Sequence, residues 1–354
     1  MIGDPSGKSE ERNFLSEEQL RHNEQCIYGQ LKTFLDNIKQ NYDIDFEYEM
    51  VNNYDFYKDM NYLRFLGEVW KYITVNTMIA KESVKKRIED PDQSITYAEF
   101  SYMLIQGYDF VHLFDAHDVK IQLGWSDQRW NVTTGMEIIR KKYDKEAFCL
   151  TIPLVTDASG RKYGKSEWNA VWVDKSKNSP YFVYQFFMNS EDFLVEKLLK
   201  VFSLKSLEEI EEIVKKHMES PELRYGQTAL ASRVVEVLFW KEAVVQAQKI
   251  TEILFGLGNK MQILTQMQRA DIDALAQETG KVVFVGKEMR MLEILVESGL
   301  APSNGEAKKL IQSWSIAFNE GKVEDMNAVV KKSDLINGVG LLRKGKKTYK
   351  VILA

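Results

Sequence analysis

The sequence predicts the α/β class, with a parallel-sheet domain first, an α-helical domain next and a small α+β module last. Three observations predict it. Val119 to Leu123 reads as a short strand broken by Gly124, Arg129 to Lys142 as a helix, and Phe148 to Val155 as a buried parallel strand. From Asp192 to Phe255 the apolar positions Leu194, Leu198, Leu199, Ile210 and Ile213, then Val234, Val235 and Leu238, repeat at the helix period. Glu208, Glu211, Glu212, Lys215 and Lys216 fall on the exposed faces. From Met291 to Ala354 a helix capped by Ser303 is followed by a hairpin turning at Gly345.

The length, 354 residues, gives room for two or three domains, and 44% hydrophobic with 28% charged residues is an ordinary globular composition. A net charge of −5 excludes a uniformly basic nucleic-acid coat but permits a local basic patch. Cys26 and Cys149 form no spaced framework, so the sequence predicts a reducing, cytoplasmic setting and no metal site. No apolar run reaches the length of a membrane span, and no charged start followed by an apolar core marks a signal peptide.

Near the start, Gly3 and Gly7 have three residues between them, where a phosphate loop needs four before its Gly-Lys pair. Ser16-Glu-Glu-Gln19 has the pattern of a capping box. Leu20, Ile27, Leu31, Phe34, Leu35 and Ile38 then give a helix to Asn41 one apolar face. Phe46 to Val51 is expected as a strand, and Leu63 to Ile88 as amphipathic helices with Lys81, Lys85, Lys86 and Arg87 on a basic face.

The stretch from Phe100 to Thr134 organises the chain. Tyr102, Gln106 and Asp109 fall at i, i+4 and i+7, which stacks them on one helix face. A polar ladder in that place needs something polar to meet, because a buried group left unpaired costs about 1–3 kcal/mol. Gln122, Asp127 and Gln128 gather at the carboxyl end of the following strand, where open α/β sheets bind ligands, and Ser126 and Asp127 suit the cap of the next helix.

YMLIQGYDF followed by QLGWSDQRWN resembles the tyrosine-recognition segment of bacterial tyrosyl-tRNA synthetases, whose usual form is near Y-x-L-x-Q-x-x-D-F and Q-I-G-G-S-D-Q-W-G-N. The resemblance implies a Rossmann-like catalytic domain in which Tyr102 and Gln106 hold the amino group of tyrosine and Asp109 accepts its phenol. Gln122, Asp127 and Gln128 would line the amino-acid and adenylate site, with Gly124 against ATP. GDPSGKSEER is similar to the segment in which Asp4 meets the substrate ammonium and Lys8 and Arg12 lie near the phosphates. Asn52-Asn53-Tyr54-Asp55-Phe56 resembles the family's N-N-x-D-W and makes Asn53 a candidate to orient the tyrosine site.

Lys162-Tyr163-Gly164-Lys165-Ser166 resembles the second class I signature, so Lys162, Lys165 and Ser166 would act on ATP. Two ammonium groups on a glycine-hinged loop suit the negative charge that grows on departing pyrophosphate. The helices after Leu63 would form a homodimer face, and the basic residues there would touch the acceptor end of tRNA. The last segment resembles an S4-like RNA-binding module, with Lys308 and Lys309 on its helix and Arg343, Lys344, Lys346 and Lys347 at its hairpin.

Four segments follow: a nucleotide-binding domain over 1–180, an anticodon-side helical domain over 181–257, a linker over 258–288 and the RNA-binding module over 289–354. The implied activity is tyrosine–tRNA ligation with ATP as substrate and Mg2+ beside it, and no tightly bound cofactor. The family carries a His-Ile-Gly-His signature upstream of GDPSG. His22, His112, His117 and His217 belong to no such motif, so the sequence is expected to lack that part. The alternative this raises is a synthetase-like, tRNA-binding chain without adenylation activity. Two departures stand inside the signature. Trp125 replaces a glycine, so that its indole either stacks on the adenine or narrows the pocket, and Arg129-Trp130 replaces Trp-Gly.

Overall fold

The structure is a computed structural model that describes residues 15–42, 44–90, 94–156, 171–256, 258–284, 288–345 and 348–354, apart from the side chains of residues 82, 83 and 86. The chain divides into two units, Met1–Ala170 and Val171–Ala354.

In the first unit, α1 (Glu17–Asn41) starts at the expected cap, with the Gln19 amide donating to Ser16 Oγ at 3.2 Å. The strand expected over Phe46 to Val51 does not form. Lys39 Nζ donates to the Phe46 carbonyl at 2.9 Å and Tyr48 donates to Asp36 at 2.9 Å, so side chains of α1 hold this segment in place of a ladder. Short helices α2 (Tyr54–Tyr57), α3 (Tyr62–Glu68), α4 (Val75–Ile79) and α5 (Glu82–Glu89) follow. Then comes α6 (Tyr97–His117), opened by a reciprocal Thr96–Glu99 capping box.

The strand–helix–strand unit is present as β1 (Ile121–Trp125), α7 (Arg129–Tyr143) and β2 (Phe148–Ile152), and the strands pair in parallel with Gln122 opposite Cys149. Two details differ from expectation. Ser126 and Asp127 do not cap α7; they lie in a 3-10 turn, whose Ser126 carbonyl takes the Arg129 amide. Nor is β2 buried on both faces. Ile121, Leu123, Trp125, Phe148, Leu150 and Ile152 all sit on an exposed face, because α7 packs against the other.

The core of this unit forms around Val69, Met78, Leu104, Phe110, Ile138 and Ile139. Helices α6 and α7 approach so closely that a β-carbon on Gly135 would lie 2.8 Å from the Gly107 carbonyl oxygen.

The second unit opens with α8 (Pro180–Met188), α9 (Asp192–Phe202), α10 (Leu207–Glu219), α11 (Tyr225–Phe239) and α12 (Lys241–Phe255). Leu194, Leu198, Leu199, Ile210, Val234 and Val235 are buried where the periodicity places them. Residues 258–288, expected as a linker, contribute α13 (Lys260–Gln266), α14 (Arg269–Thr279) and β3 (Lys281–Val283). Leu264, Ile272 and Leu275 join the core formed by Ile250, Ile253 and Val351. Helices of 7 and 11 residues are too short for their apolar positions to stand out as a repeat.

The rest is β4 (Glu288–Arg290), α15 (Met291–Glu297), α16 (Asn304–Gln312), β5 (Ile316–Phe318), β6 (Gly321–Lys322), β7 (Val329–Lys331), β8 (Val339–Lys344) and β9 (Thr348–Leu353). Five strands lie in the order β3-β9-β8-β5-β6, with β3 parallel to β9 and the other pairs antiparallel; β4 and β7 pair separately.

Candidate functional site

The face of α6 that carries the polar ladder borders a cavity of about 630 Å³. Tyr102 and Asp109 line it, together with Asn53 and Tyr57 from the segment before α3 and with Phe65 and Ile105. Leu20, Arg21 and Glu24 of α1 close another side. The walls are therefore rich in aromatic rings, with the carboxyl groups of Glu17, Glu24 and Asp109 among them, which suits a small ligand that is itself part apolar and part polar.

Asp109 is the electrostatic centre of the cavity. Its Oδ1 is buried and meets no hydrogen-bond donor among the described residues. Burial pushes the carboxyl up from its ordinary 3.8 to about 7, against the opposing influence of the nearby Tyr57 and Asn53 side chains. The Tyr57 hydroxyl donates to the Ile105 carbonyl at 2.6 Å, and burial, then the nearby Asp109 charge, hold its proton on. A donor arriving at Oδ1 would favour the ionised carboxyl and satisfy the orphaned oxygen together.

A second polar cluster lies between α6 and α7. Asn131 donates through Nδ2 to Gln106 Oε1 at 2.9 Å and to Gln128 Oε1 at 3.2 Å, and is itself buried. The ladder thus divides: Tyr102 and Asp109 line the cavity, while Gln106 is tied to α7. Gln122 keeps Oε1 buried without a donor among the described residues, Asp127 is half-buried in the 3-10 turn, and Gly124 stands in β1 opposite Thr151. Trp125 ends β1 on the exposed face of the sheet. Tyr57 and Asn131 were not picked out from sequence. Asn131 closes the QLGWSDQRWN string and Tyr57 directly follows Phe56, but nothing in either position marks a buried hydrogen bond.

The basic face expected on α4 and α5 is largely turned inward. Lys81 is buried, donating to the Trp130 carbonyl at 2.9 Å and to the Thr134 hydroxyl, and burial lowers its pKa to about 8. Arg87 pairs with the buried Glu99 at 2.8 Å. Lys85 is exposed beside Glu89. An amphipathic pattern shows which positions alternate, not which long cationic side chains find carbonyls inside.

In the second unit, Lys308 and Lys309 lie on the exposed side of α16, which Ser303 caps by accepting the Glu306 amide at 3.3 Å. Arg343 donates to the Gly345 carbonyl at 2.6 Å and Lys344 to the Leu300 carbonyl at 2.8 Å. Asp4, Lys8, Arg12, Lys162, Lys165, Ser166, Lys346 and Lys347 lie outside the described residues. Among the described residues no three His, Cys, Asp or Glu side chains gather as a metal site, and no helix is long and apolar enough to cross a membrane.

Residues 1–256 match the family model described as tRNA synthetases class I (W and Y), and residues 271–352 match the tyrosine–tRNA ligase SYY-like C-terminal domain. The chain is 40% identical to a tyrosine–tRNA ligase of Bacteroides thetaiotaomicron, over 100% of this chain and 83% of that one. It is 41% identical to one from Cytophaga hutchinsonii, over 99% and 82%. Among solved structures, a C-terminally truncated mitochondrial tyrosyl-tRNA synthetase of Aspergillus nidulans superposes with a TM-score of 0.61 at 27% identity, covering 72% of this chain and 73% of that one. The polar ladder, the parallel strand pair beside it and a likeness of this extent converge: the chain belongs to the class I tyrosyl-tRNA synthetases.

Proposed function

We propose that the protein is a ligase that joins tyrosine to its tRNA in translation. The tyrosine carboxylate attacks the α-phosphorus of ATP and the bond to pyrophosphate breaks, leaving tyrosyl-adenylate. The terminal ribose hydroxyl of the tRNA then takes the tyrosyl group and AMP departs. What carries the reading is Asp109 Oδ1, a buried acceptor without a donor in a cavity walled by aromatic rings. A phenol supplies the missing donor, and phenylalanine does not.

In this reading Tyr102 and Gln106 take the ammonium group. Gln106 Oε1 has a second lone pair for it besides the one that Asn131 occupies. Asn131 is then a positioning residue that aims Gln106 and Gln128 at the amino-acid and adenylate site shared with Gln122 and Asp127. Asp4 would add an acid for the ammonium, and Lys8, Arg12, Lys162, Lys165 and Ser166 would offset charge on the phosphates. Mg2+ would accompany ATP as the counter-ion of its phosphates. The C-terminal module, with Lys308, Lys309, Arg343, Lys344, Lys346 and Lys347, binds tRNA through its backbone phosphates. The protein works in the cytoplasm as a homodimer.

Calorimetry with L-tyrosine and L-phenylalanine tests the central point. Tyrosine affinity should rise between about pH 6 and about pH 8, as the carboxyl that must accept the phenol ionises, while phenylalanine shows no such rise. Asp109→Asn should weaken tyrosine binding about 10- to 100-fold and leave phenylalanine unchanged. Equal loss for both amino acids would refute the assignment of the phenol to Asp109.

A further inference from the structure

Helix α16 ends in a motif that calls for a residue without a side chain. The Ser315 amide donates back to the Leu310 carbonyl at 3.0 Å and the Trp314 amide to the Ile311 carbonyl at 2.9 Å, a paired closure that puts the residue between them in the left-handed region. That residue is Trp314, at φ +59°. A β-carbon is disfavoured there, and glycine or asparagine is the usual occupant. The indole gains little by packing, since it is 57% exposed. Strain carried by a side chain that the fold does not bury points to use at the surface.

Its neighbours are basic. Lys322 of β6 holds its ammonium 5.0 Å from the indole ring centre. The Gly345 amide donates to the Ser315 carbonyl at 2.8 Å, which places the end of β8 beside Trp314. Arg343 and Lys344 precede Gly345 there, in register with Ala317 and Ile316 of β5. Exposed Lys308 and Lys309 lie on the helix that Trp314 terminates. An exposed aromatic ring with a lysine ammonium over it, on a surface that carries further cations, matches the two parts of a nucleotide: a flat base to stack on and a phosphate to neutralise.

We propose that Trp314 is a stacking platform for an unpaired base of the bound RNA, with Lys322 holding the adjacent phosphate. The proposal rests on the reading that the C-terminal module binds tRNA and adds what that reading lacks, a contact indifferent to salt. The test uses the full chain, a tRNA(Tyr) transcript and a blunt RNA duplex without unpaired bases, with binding followed by anisotropy across a salt series.

Trp314→Gly should bind the transcript about tenfold more weakly with an unchanged salt slope, and bind the duplex as the parent does. Its melting temperature should equal or exceed that of the parent, because glycine fits the turn, so weakened binding is not a folding defect. Lys322→Ala should instead reduce the salt slope by about one. Transcript affinity of Trp314→Gly within twofold of the parent, or an equal loss on the duplex, would overturn the proposal and leave the RNA reading standing. A parent chain that binds neither RNA would overturn both.

Discussion

The two units treat their paired strands in opposite ways. In the second unit β8 and β9 are covered on both faces: Leu341 and Val351 enter one core with α12 and α14, while Leu342 and Ile352 enter the other with α15 and α16. Among the described residues of the first unit, α7 packs on one face of β1 and β2, and six apolar side chains stand exposed on the other. Beside its apolar core the first unit also buries polar groups between its helices: Asn131, Lys81, Glu99 with its partner Arg87, and Oδ1 of Asp109. The sheet of the second unit therefore contributes stability through both faces, while the polar groups buried around Asp109 in the first order a site at some cost in stability.

The comparison can be broken at its strongest point first. Leu341 lies between Asn319 and the α12–α14 core, 1% exposed, so Leu341→Ala should destabilise the protein by about 2–5 kcal/mol in urea unfolding. A loss under about 1 kcal/mol would mean that this sheet is not the stability-bearing core of its unit.

Asp109→Asn should act with the other sign. The folded carboxyl keeps its proton up to about pH 7, whereas the unfolded one loses it near 3.8. Between these values the folded state binds the extra proton, so the contribution of Asp109 to stability is full below about pH 4 and falls away as pH rises through 7. The neutral amide removes that dependence. The variant should gain about 1–3 kcal/mol over the parent above neutral pH and nothing in acid. Parallel pH–stability curves for parent and variant would show that Asp109 is not the strained group.

Much of this contrast was open to sequence reading, and the limits are physical. The strand–helix–strand unit, the caps at Ser16 and Ser303 and the buried positions of α9 to α11 follow from local chemistry that needs no distant partner. Hidden from it were features set by what lies opposite in space. Among the described residues, Phe46 to Val51 has strand composition but no neighbouring strand, and β2 has buried-strand composition but a helix packed on one face only. In the site, the i, i+4, i+7 spacing located Tyr102 and Asp109 at one cavity. It could not tell that Asn131 would draw Gln106 to α7, nor that Tyr57 would reach the Ile105 carbonyl from 48 positions away.

The smallest effect is the one that isolates the bare face. Leu150 is 57% exposed in β2, pairs with the equally exposed Leu123 and loses no core contact when shortened. Leu150→Ser should therefore change unfolding stability by no more than about 0.5 kcal/mol, while reducing the apolar surface available for self-association. The same apolar-to-polar change at Val351, in register with Leu341, should cost several times more, since it leaves a hydroxyl in a dry core. If Leu150→Ser proves as costly as the change at Val351, then something covers β1 and β2 in solution, and the contrast between the two sheets is one of accessible surface rather than of construction.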